Sequence, residues 1–263
     1  MLTDAQIQAA SDLLWRLWHE GKRTPALPAS IRPITRAEAY AIQAHLEAHS
    51  ARPMQGWKIA ATSQAGQTHI GIDGPLAGRL LAEHVFADGA ELPWGANHMR
   101  VAEAEFAFRM ARDLPPRPQP YTVAEILDAV ATLHPAIEVP DSRYDDFSNV
   151  GGPQLIADNA CAHDFVLGPA TTANWRALDL AQHRVLATVA GKPAHEGIGK
   201  NVLGDPRVAL AWLANELSAH GVTLKASQVV TTGTCIVPLP IAPGDTLTAD
   251  FGALGKVTAR FGR

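Results

Sequence analysis

Glu103 and Glu105 stand two residues apart in "RVAEAEFAF", residues 100–108. At strand periodicity they share one face with Val101 and Ala107, while Ala102, Ala104, Phe106 and Phe108 take the other. Two carboxylates so placed repel each other unless water, a cation or a proton intervenes. Water is the simple answer if that face is exposed, as one face of an antiparallel sheet often is. A cation is the other answer, because a third acid, Glu138 in "AIEVP", lies on an apolar strand with Ile137 and Val139 opposite. Three carboxylates converging from strands make an all-oxygen site suited to Mg²⁺ or Mn²⁺, with positions left for water or substrate.

Lys58 in "GWKIAAT" is the lone charge of an apolar stretch. It fits an anion-binding or proton-transferring role, and equally an edge-strand lysine that blocks sheet extension. Asp73, between glycines in "GIDGPLAG", fits a turn former as well as a catalytic acid. Asn159 in "ADNACA" suits a ligand for a substrate oxygen or a cap. The run "TTGT" at 231–234, centred on Thr232, suits a carboxylate cradle or a tight bend. No G-x-S-x-G elbow, P-loop, dinucleotide fingerprint or H-E-x-x-H is present, and the histidines have no zinc spacing.

These residues need elements to hold them. Residues 4–19 and 36–49 read as helices, the second capped by Thr35 and Glu38, with a proline-rich connector between. They predict a helical section over 1–52 ahead of a β-rich core over 53–263 that works as one functional unit. Within the core, "YTVAEILDAVATLH" reads as a helix capped by Thr122 and Glu125, feeding the strand that holds Glu138. Asp205, Pro206 and Gly221 delimit the clearest helix. The C-terminal tail is strand after strand with glycine and proline turns. Without a regular βαβ rhythm, the class is α+β.

Composition narrows the function. A chain of 263 residues, 47% hydrophobic and 18% charged, has enough apolar side chains for a sizeable core. A net charge of −4 with scattered Lys and Arg gives no nucleic-acid footprint. No apolar run reaches the roughly 20 residues of a membrane span, and the N-terminus reads as an amphipathic helix and not a signal peptide. Two cysteines, Cys161 and Cys235, form no disulfide framework or metal spacing, which points to the cytoplasm. A non-enzymatic alternative is a partner subunit docking on a neighbouring pathway enzyme through Leu13, Leu14, Leu17 and Trp18; self-packing of that helix face is the ordinary outcome.

The ordered set "GWKIAATS", "GIDGPLAG", "AEAEFAF", "AIEVPDSR", "IADNACAHDFVLG", "VVTTGT" and "PGDTLTADFGALGKVTARF" resembles the 2-keto-4-pentenoate hydratase and 4-oxalocrotonate decarboxylase family, within the fumarylacetoacetate hydrolase-like superfamily. The resemblance runs from about residue 5 to the C-terminus. It implies a mixed β-roll core with a helical N-terminal section, in a homo-oligomer. Glu103, Glu105 and Glu138 match the family's metal-binding carboxylates and Lys58 its active-site lysine. Asp73 and Asn159 fall on its acidic loop position and its "ADNA" motif. The implied reaction is hydration of a 2-hydroxy-2,4-dienoate, with decarboxylation of a 2-oxo-3-hexenedioate as the alternative and acylpyruvate-type hydrolysis, with His84 and Glu83 or His69 as candidate bases, third. Hydratases of the family often read D-x-P-D where this chain has "DGPL", so Leu76 replaces a second acid and leans toward the decarboxylase branch.

Overall fold

The computed structural model describes residues 1–263. Three helices open the chain: α1 (Asp4–Glu20), α2 (Arg36–Ala44) and α3 (Leu46–His49). The Thr35–Glu38 capping box forms, and a second one at Thr3 and Gln6 starts α1. Ala10, Leu14, Ala39, Tyr40 and Ile42 from these helices join the same buried cluster as the strands that follow. The apolar face of α1 is therefore covered by its own chain, with Leu14 and Leu17 buried and Leu13 packed on the core.

The core is two mixed sheets. Strands β1 (Gly56–Ala60), β2 (Leu76–Leu80), β3 (Val85–Ala87), β4 (Glu91–Leu92), β5 (Val101–Met110), β6 (Val130–Val139) and β7 (Asp164–Leu167) come first. They are followed by β8 (Arg184–Val189), β9 (His195–Ile198), β10 (Val229–Thr234), β11 (Leu239–Pro240), β12 (Thr246–Asp250) and β13 (Lys256–Phe261). One sheet runs β2-β1-β10-β5-β6-β7-β3 with β11 added to β5; the other runs β4-β13-β12-β8-β9. Strand β1 pairs parallel with β10, and β5 pairs antiparallel with both β10 and β6. Short helices α4 (Gln64–His69), α5 (Val123–Asp128) and α6 (Gly152–Ala157), with the longer α7 (Pro206–Ala219), fill the connections. This is an α+β architecture, as the strand rhythm predicts.

The two faces of β5 are sorted as period two requires. Ala102, Ala104, Phe106 and Phe108 are fully buried, and Phe106 meets Phe251, the residue that follows β12 of the second sheet, edge-to-face at 5.1 Å. That contact places the hydrophobic core between the sheets and turns the acids to the other side. The helix expected over 121–134 stops at Asp128. From Val130 the chain is strand, because β-branched Val130 and Thr132 pair with Met110 and Arg109 of β5. The capping box at Thr122 and Glu125 and the cap at Asp205 form as expected.

A buried polar network fixes the segment between β6 and β7. Arg143 is almost fully buried and donates to the Asp158 carboxylate, to the carbonyl of Asp158, and to the carbonyls of Asp141 and Ala162 at 3.0 and 3.3 Å. Ser142 Oγ and the Arg143 amide donate to the other Asp158 oxygen at 2.7 and 3.0 Å. The Arg143 guanidinium lies 4.5 Å from the Trp18 ring of α1. Asp141 is likewise buried, paired with Arg23 at 2.5 Å, so it is structural and not a solvated loop charge.

Removing one partner of such a pair strands a buried charge. Arg143→Met is expected to destabilise the protein by about 3–5 kcal/mol in urea denaturation. Breaking the exposed Arg184–Glu196 pair is expected to shift it by no more than about 0.5 kcal/mol, since both side chains are mostly in solvent.

Candidate metal and substrate site

The register of β5 and β6 sets Glu103 directly opposite Glu138. Opposed residues share a face, so Glu103, Glu105 and Glu138 all project from one side of the sheet. One carboxylate oxygen from each lies within 4.8 Å of the others. The face is not wet: Glu105 and Glu138 are essentially inaccessible, and only Glu103 is partly exposed, to a cavity. Lys58 of β1 is also buried; its Nζ stands 3.4 Å from Glu138 Oε1 and donates to the Ala160 carbonyl at 3.0 Å. A central position in the sheet, between β2 and β10, excludes the edge-strand role.

Glu105 is aimed by a bulge in β10. Thr231, paired with Ala107 on the acid face, donates from Oγ1 to Glu105 Oε2 at 2.5 Å, and the register slip between Thr231 and Thr234 brings the Gly233 amide to the same oxygen at 2.7 Å. Gly233 has φ +98°, and a Cβ there would stand 2.1 Å from Thr62 Oγ1, so only glycine serves. The remaining oxygen of Glu105 and both oxygens of Glu138 are buried without a hydrogen-bond partner. Orphaned carboxylate oxygens are costly in an apolar interior. Three of them beside a third carboxylate fit a hard divalent cation.

Without a cation the site holds protons instead. Burial and the neighbouring Glu103 push Glu105 up to about 8, against the pull of Lys58. Burial also raises Glu103, and raises Glu138 well above the carboxylate range. For Lys58, burial acts to lower the pKa, but Glu138, Glu103 and Glu105 together hold it above its ordinary value. Lys58 is thus an ammonium, suited to anchoring an anion and to holding a proton at Nζ.

The carbonyl that Lys58 meets is delivered by an uncommon turn. Asn159, Ala160 and Cys161 are successive left-handed residues, with φ of 56°, 50° and 59°. Each such non-glycine residue costs roughly 1–2 kcal/mol. The turn is clamped from both sides: Asn159 Oδ1 accepts from the Arg79 amide at 2.6 Å, and its Nδ2 donates to the Arg79 carbonyl at 2.9 Å. It presses on β2 at Gly78, where a Cβ would lie 2.3 Å from the Asn159 carbonyl oxygen. Gly78 is the cross-strand partner of Lys58, so this close approach carries the Ala160 carbonyl onto Nζ.

Three sequence expectations change accordingly. Asn159 does not face substrate; its amide is spent on the β2 backbone. Thr232 is fully buried with Oγ1 donating to the Phe106 carbonyl at 2.9 Å, while Thr231, paired with Ala107 on the acid side of β5, faces Glu105, and Thr234 beyond the bulge lines the cavity. Asp73 is exposed on its turn and lines no part of the cavity. Thr231, Gly233, Gly78 and the Ala160 carbonyl are the positioning groups that spacing missed; the glycine inside "TTGT" and the one inside "LAGRL" were their only sequence trace.

A cavity of about 660 Å³ opens in front of the acids. Lys58, Glu103, Cys161 and Thr234 line one part, while Leu76, Met99, Phe147, Leu155 and Ile236 make much of the remaining wall. His69 also lines it, whereas Glu83 is bonded to Ser50 at 2.7 Å and His84 to Asp164 at 2.8 Å. A second group with metal-like spacing, His84, His163 and Asp164, has a different use. Trp18 Nε1 donates to His163 Nδ1 at 2.8 Å, a network that assigns the His163 proton to Nε2, the nitrogen facing Asp164. Both carboxylate oxygens and both rings thereby serve to dock α1 on the core.

Residues 78–262 match the model of the fumarylacetoacetate (FAA) hydrolase C-terminal family. The chain belongs to that family. It is 32% identical, over 99% of its length and 96% of the relative's, to 2-keto-4-pentenoate hydratase of Paraburkholderia xenovorans (strain LB400). It is 28% identical to 4-oxalocrotonate decarboxylase of Pseudomonas sp. (strain CF600), over 99% of this chain and 98% of that one. A solved structure of 4-oxalocrotonate decarboxylase from Pseudomonas putida G7, complexed with magnesium and adipate, superposes with a TM-score of 0.90 at 27% identity, covering 99% of both chains. The FAA hydrolase-like α+β fold expected from the motifs is therefore the fold found. No helix is long and apolar enough to cross a membrane.

The buried acids set the pH behaviour of the metal-free protein. A carboxyl raised from 4.5 to about 8 favours the folded state while protonated, and that advantage is lost as pH climbs through this interval. In EDTA, urea midpoints are expected to fall from pH 5.5 to 8.5, and Mg²⁺ or Mn²⁺ is expected to restore the midpoint most at pH 8.5. A metal-free midpoint that rises over this range would contradict the buried, protonated acids.

Proposed function

We propose that this protein is a metal-dependent hydro-lyase that adds water to a 2-hydroxy-2,4-dienoate, of the 2-hydroxypenta-2,4-dienoate type, in the catabolism of aromatic ring-cleavage products. The observation that carries the reading is the convergence of Glu103, Glu105 and Glu138, three of their oxygens buried without a hydrogen-bond partner, beside the Lys58 ammonium. These three glutamates would hold Mg²⁺ or Mn²⁺. When bound, the cation supplies Lewis acidity for negative charge developing on the substrate's 2-oxygen.

The chain's own groups do the rest. Lys58 pairs with the substrate carboxylate and holds a proton at Nζ, with the Ala160 carbonyl and Glu138 fixing its position. Thr231 and Gly233 keep Glu105 aimed. In the reaction the proton of the 2-hydroxyl is replaced by one added at C5, giving a conjugated 2-oxo acid. Water then adds across C3 and C4, hydroxyl to C4 and proton to C3. The product is a 4-hydroxy-2-oxo acid, one water heavier than the substrate.

Decarboxylation of a 2-oxo-3-hexenedioate is the second reading, favoured by Leu76 in the cavity wall and by the likeness to the decarboxylase structure. It ranks below hydration because no lysine or arginine besides Lys58 lines the cavity to receive a second carboxylate. Acylpyruvate hydrolysis ranks third, since Glu83 and His84 are engaged elsewhere. The reading places the enzyme in the cytoplasm as a homo-oligomer, in keeping with two free, buried cysteines. Any association with a neighbouring pathway enzyme would use a surface other than the covered face of α1.

NMR of the products from 2-hydroxypenta-2,4-dienoate and 2-oxo-3-hexenedioate, with Mg²⁺ and with EDTA, tests this. Metal-dependent 4-hydroxy-2-oxo acid from the first is the expected result; CO₂ from the second without hydration of the first would transfer the protein to the decarboxylase reading. Glu105→Gln is expected to lower turnover by a factor of about 100 or more with unchanged far-UV circular dichroism. Full activity in that variant would remove Glu105 from the site.

A further inference from the structure

The hydratase reading leaves open what the substrate carries beyond C5, and on that reading the geometry points to an uncharged apolar chain of several carbons, with substrates ending in a second carboxylate rejected. The strand directions supply the argument. Strands β1 and β10 run parallel and β5 runs against them, so one path leaves the acids toward the C-terminal ends of β1 and β10 and the N-terminal end of β5. Two residues along that path, Lys58 gives way to Ala60, whose cross-strand partner is Leu76, and Glu103 gives way to Val101. Beyond the end of β10 the same direction reaches Ile236.

Each two-residue step spans roughly 6.6 Å. A substrate whose carboxylate and 2-oxygen occupy the end formed by Lys58 and the glutamates therefore lays its far carbons among Ala60, Leu76, Val101 and Ile236. Leu76 and Ile236 are buried, so what reaches them leaves water. Three polar side chains of this wall each hold a hydrogen bond within the protein, and none is a cation: Thr234 Oγ1 donates to the Ile236 carbonyl at 2.9 Å, Asn201 Nδ2 to the Cys235 carbonyl at 2.9 Å, and Ser63 Oγ accepts from the Gly66 amide at 3.1 Å. His69 is the sole imidazole in the lining, and it is exposed at the rim. A carboxylate placed on the inner wall would lose its water and gain no cation. An alkyl chain there gains burial with every methylene.

The test is a kcat/KM series in saturating Mg²⁺ on 2-hydroxypenta-2,4-dienoate, on 2-hydroxyocta-2,4-dienoate, and on the eight-carbon dioate of matching chain length. Burial worth roughly fourfold per methylene predicts the octadienoate to exceed the pentadienoate by about tenfold or more. The dioate is expected to fall at least about tenfold below the octadienoate. Leu76→Arg supplies the missing cation and is expected to narrow or invert that last ratio. Because Leu76 is buried in a strand and the variant can fail to fold, His69→Ala is the second probe, expected to leave the ratio unchanged. A dioate used as well as the octadienoate, or a dioate rate that collapses in His69→Ala, overturns the apolar-tail inference while the hydratase reading stands. No hydration of any of the three overturns the hydratase reading, and this inference with it.

Discussion

The arrangement on which everything else rests is the burial of three carboxylates and one ammonium on the same face of a sheet. None of the four is tolerable there alone. Lys58 stays charged only because the glutamates surround it, and the glutamates stay together only because a lysine, protons or a divalent cation offsets their repulsion. The supporting structure reads as a set of devices for that one constraint. The β10 bulge fixes Glu105, the left-handed turn fixes Lys58, and the Arg143–Asp158 network holds the segment that carries the turn.

Much of this was legible in the sequence where the signal is local. The alternation of β5 announces a two-faced strand, and the threonine–glutamate capping boxes and the Asp205–Pro206 start mark helix ends with chemistry contained in four residues. What alternation cannot say is whether the acid face is wet or dry, since that depends on β6, β10 and β1 arriving from distant parts of the chain. The order of motifs along the chain carried that information.

Asn159 and Thr232 show why the remaining site was not legible. Each has a side chain suited to a substrate, and each bonds backbone instead: the left-handed turn presents the Ala160 carbonyl rather than Asn159, and strand alternation gives the acid face of β10 to Thr231 rather than Thr232. Alternation puts Thr231 and Thr232 on opposite faces, and which of them meets the acids is set by the pairing of Thr231 with Ala107 of β5, a contact between distant parts of the chain. The helix that ends at Asp128 illustrates the same limit: pairing with β5 overrides local helical preference from Val130 onward.

The contact between Lys58 and Glu138 also measures the shape of the sheet. Their strands are separated by β10 and β5, three interstrand spacings, or roughly 14 Å across a flat surface. Side chains standing upright from a flat sheet would stay that far apart, yet these two close to 3.4 Å. The sheet must be concave toward the acids, and its curvature is itself a component of the site. A change far from any charged residue, if it relaxes the bend between β1 and β6, opens the constellation as surely as deleting one of its members.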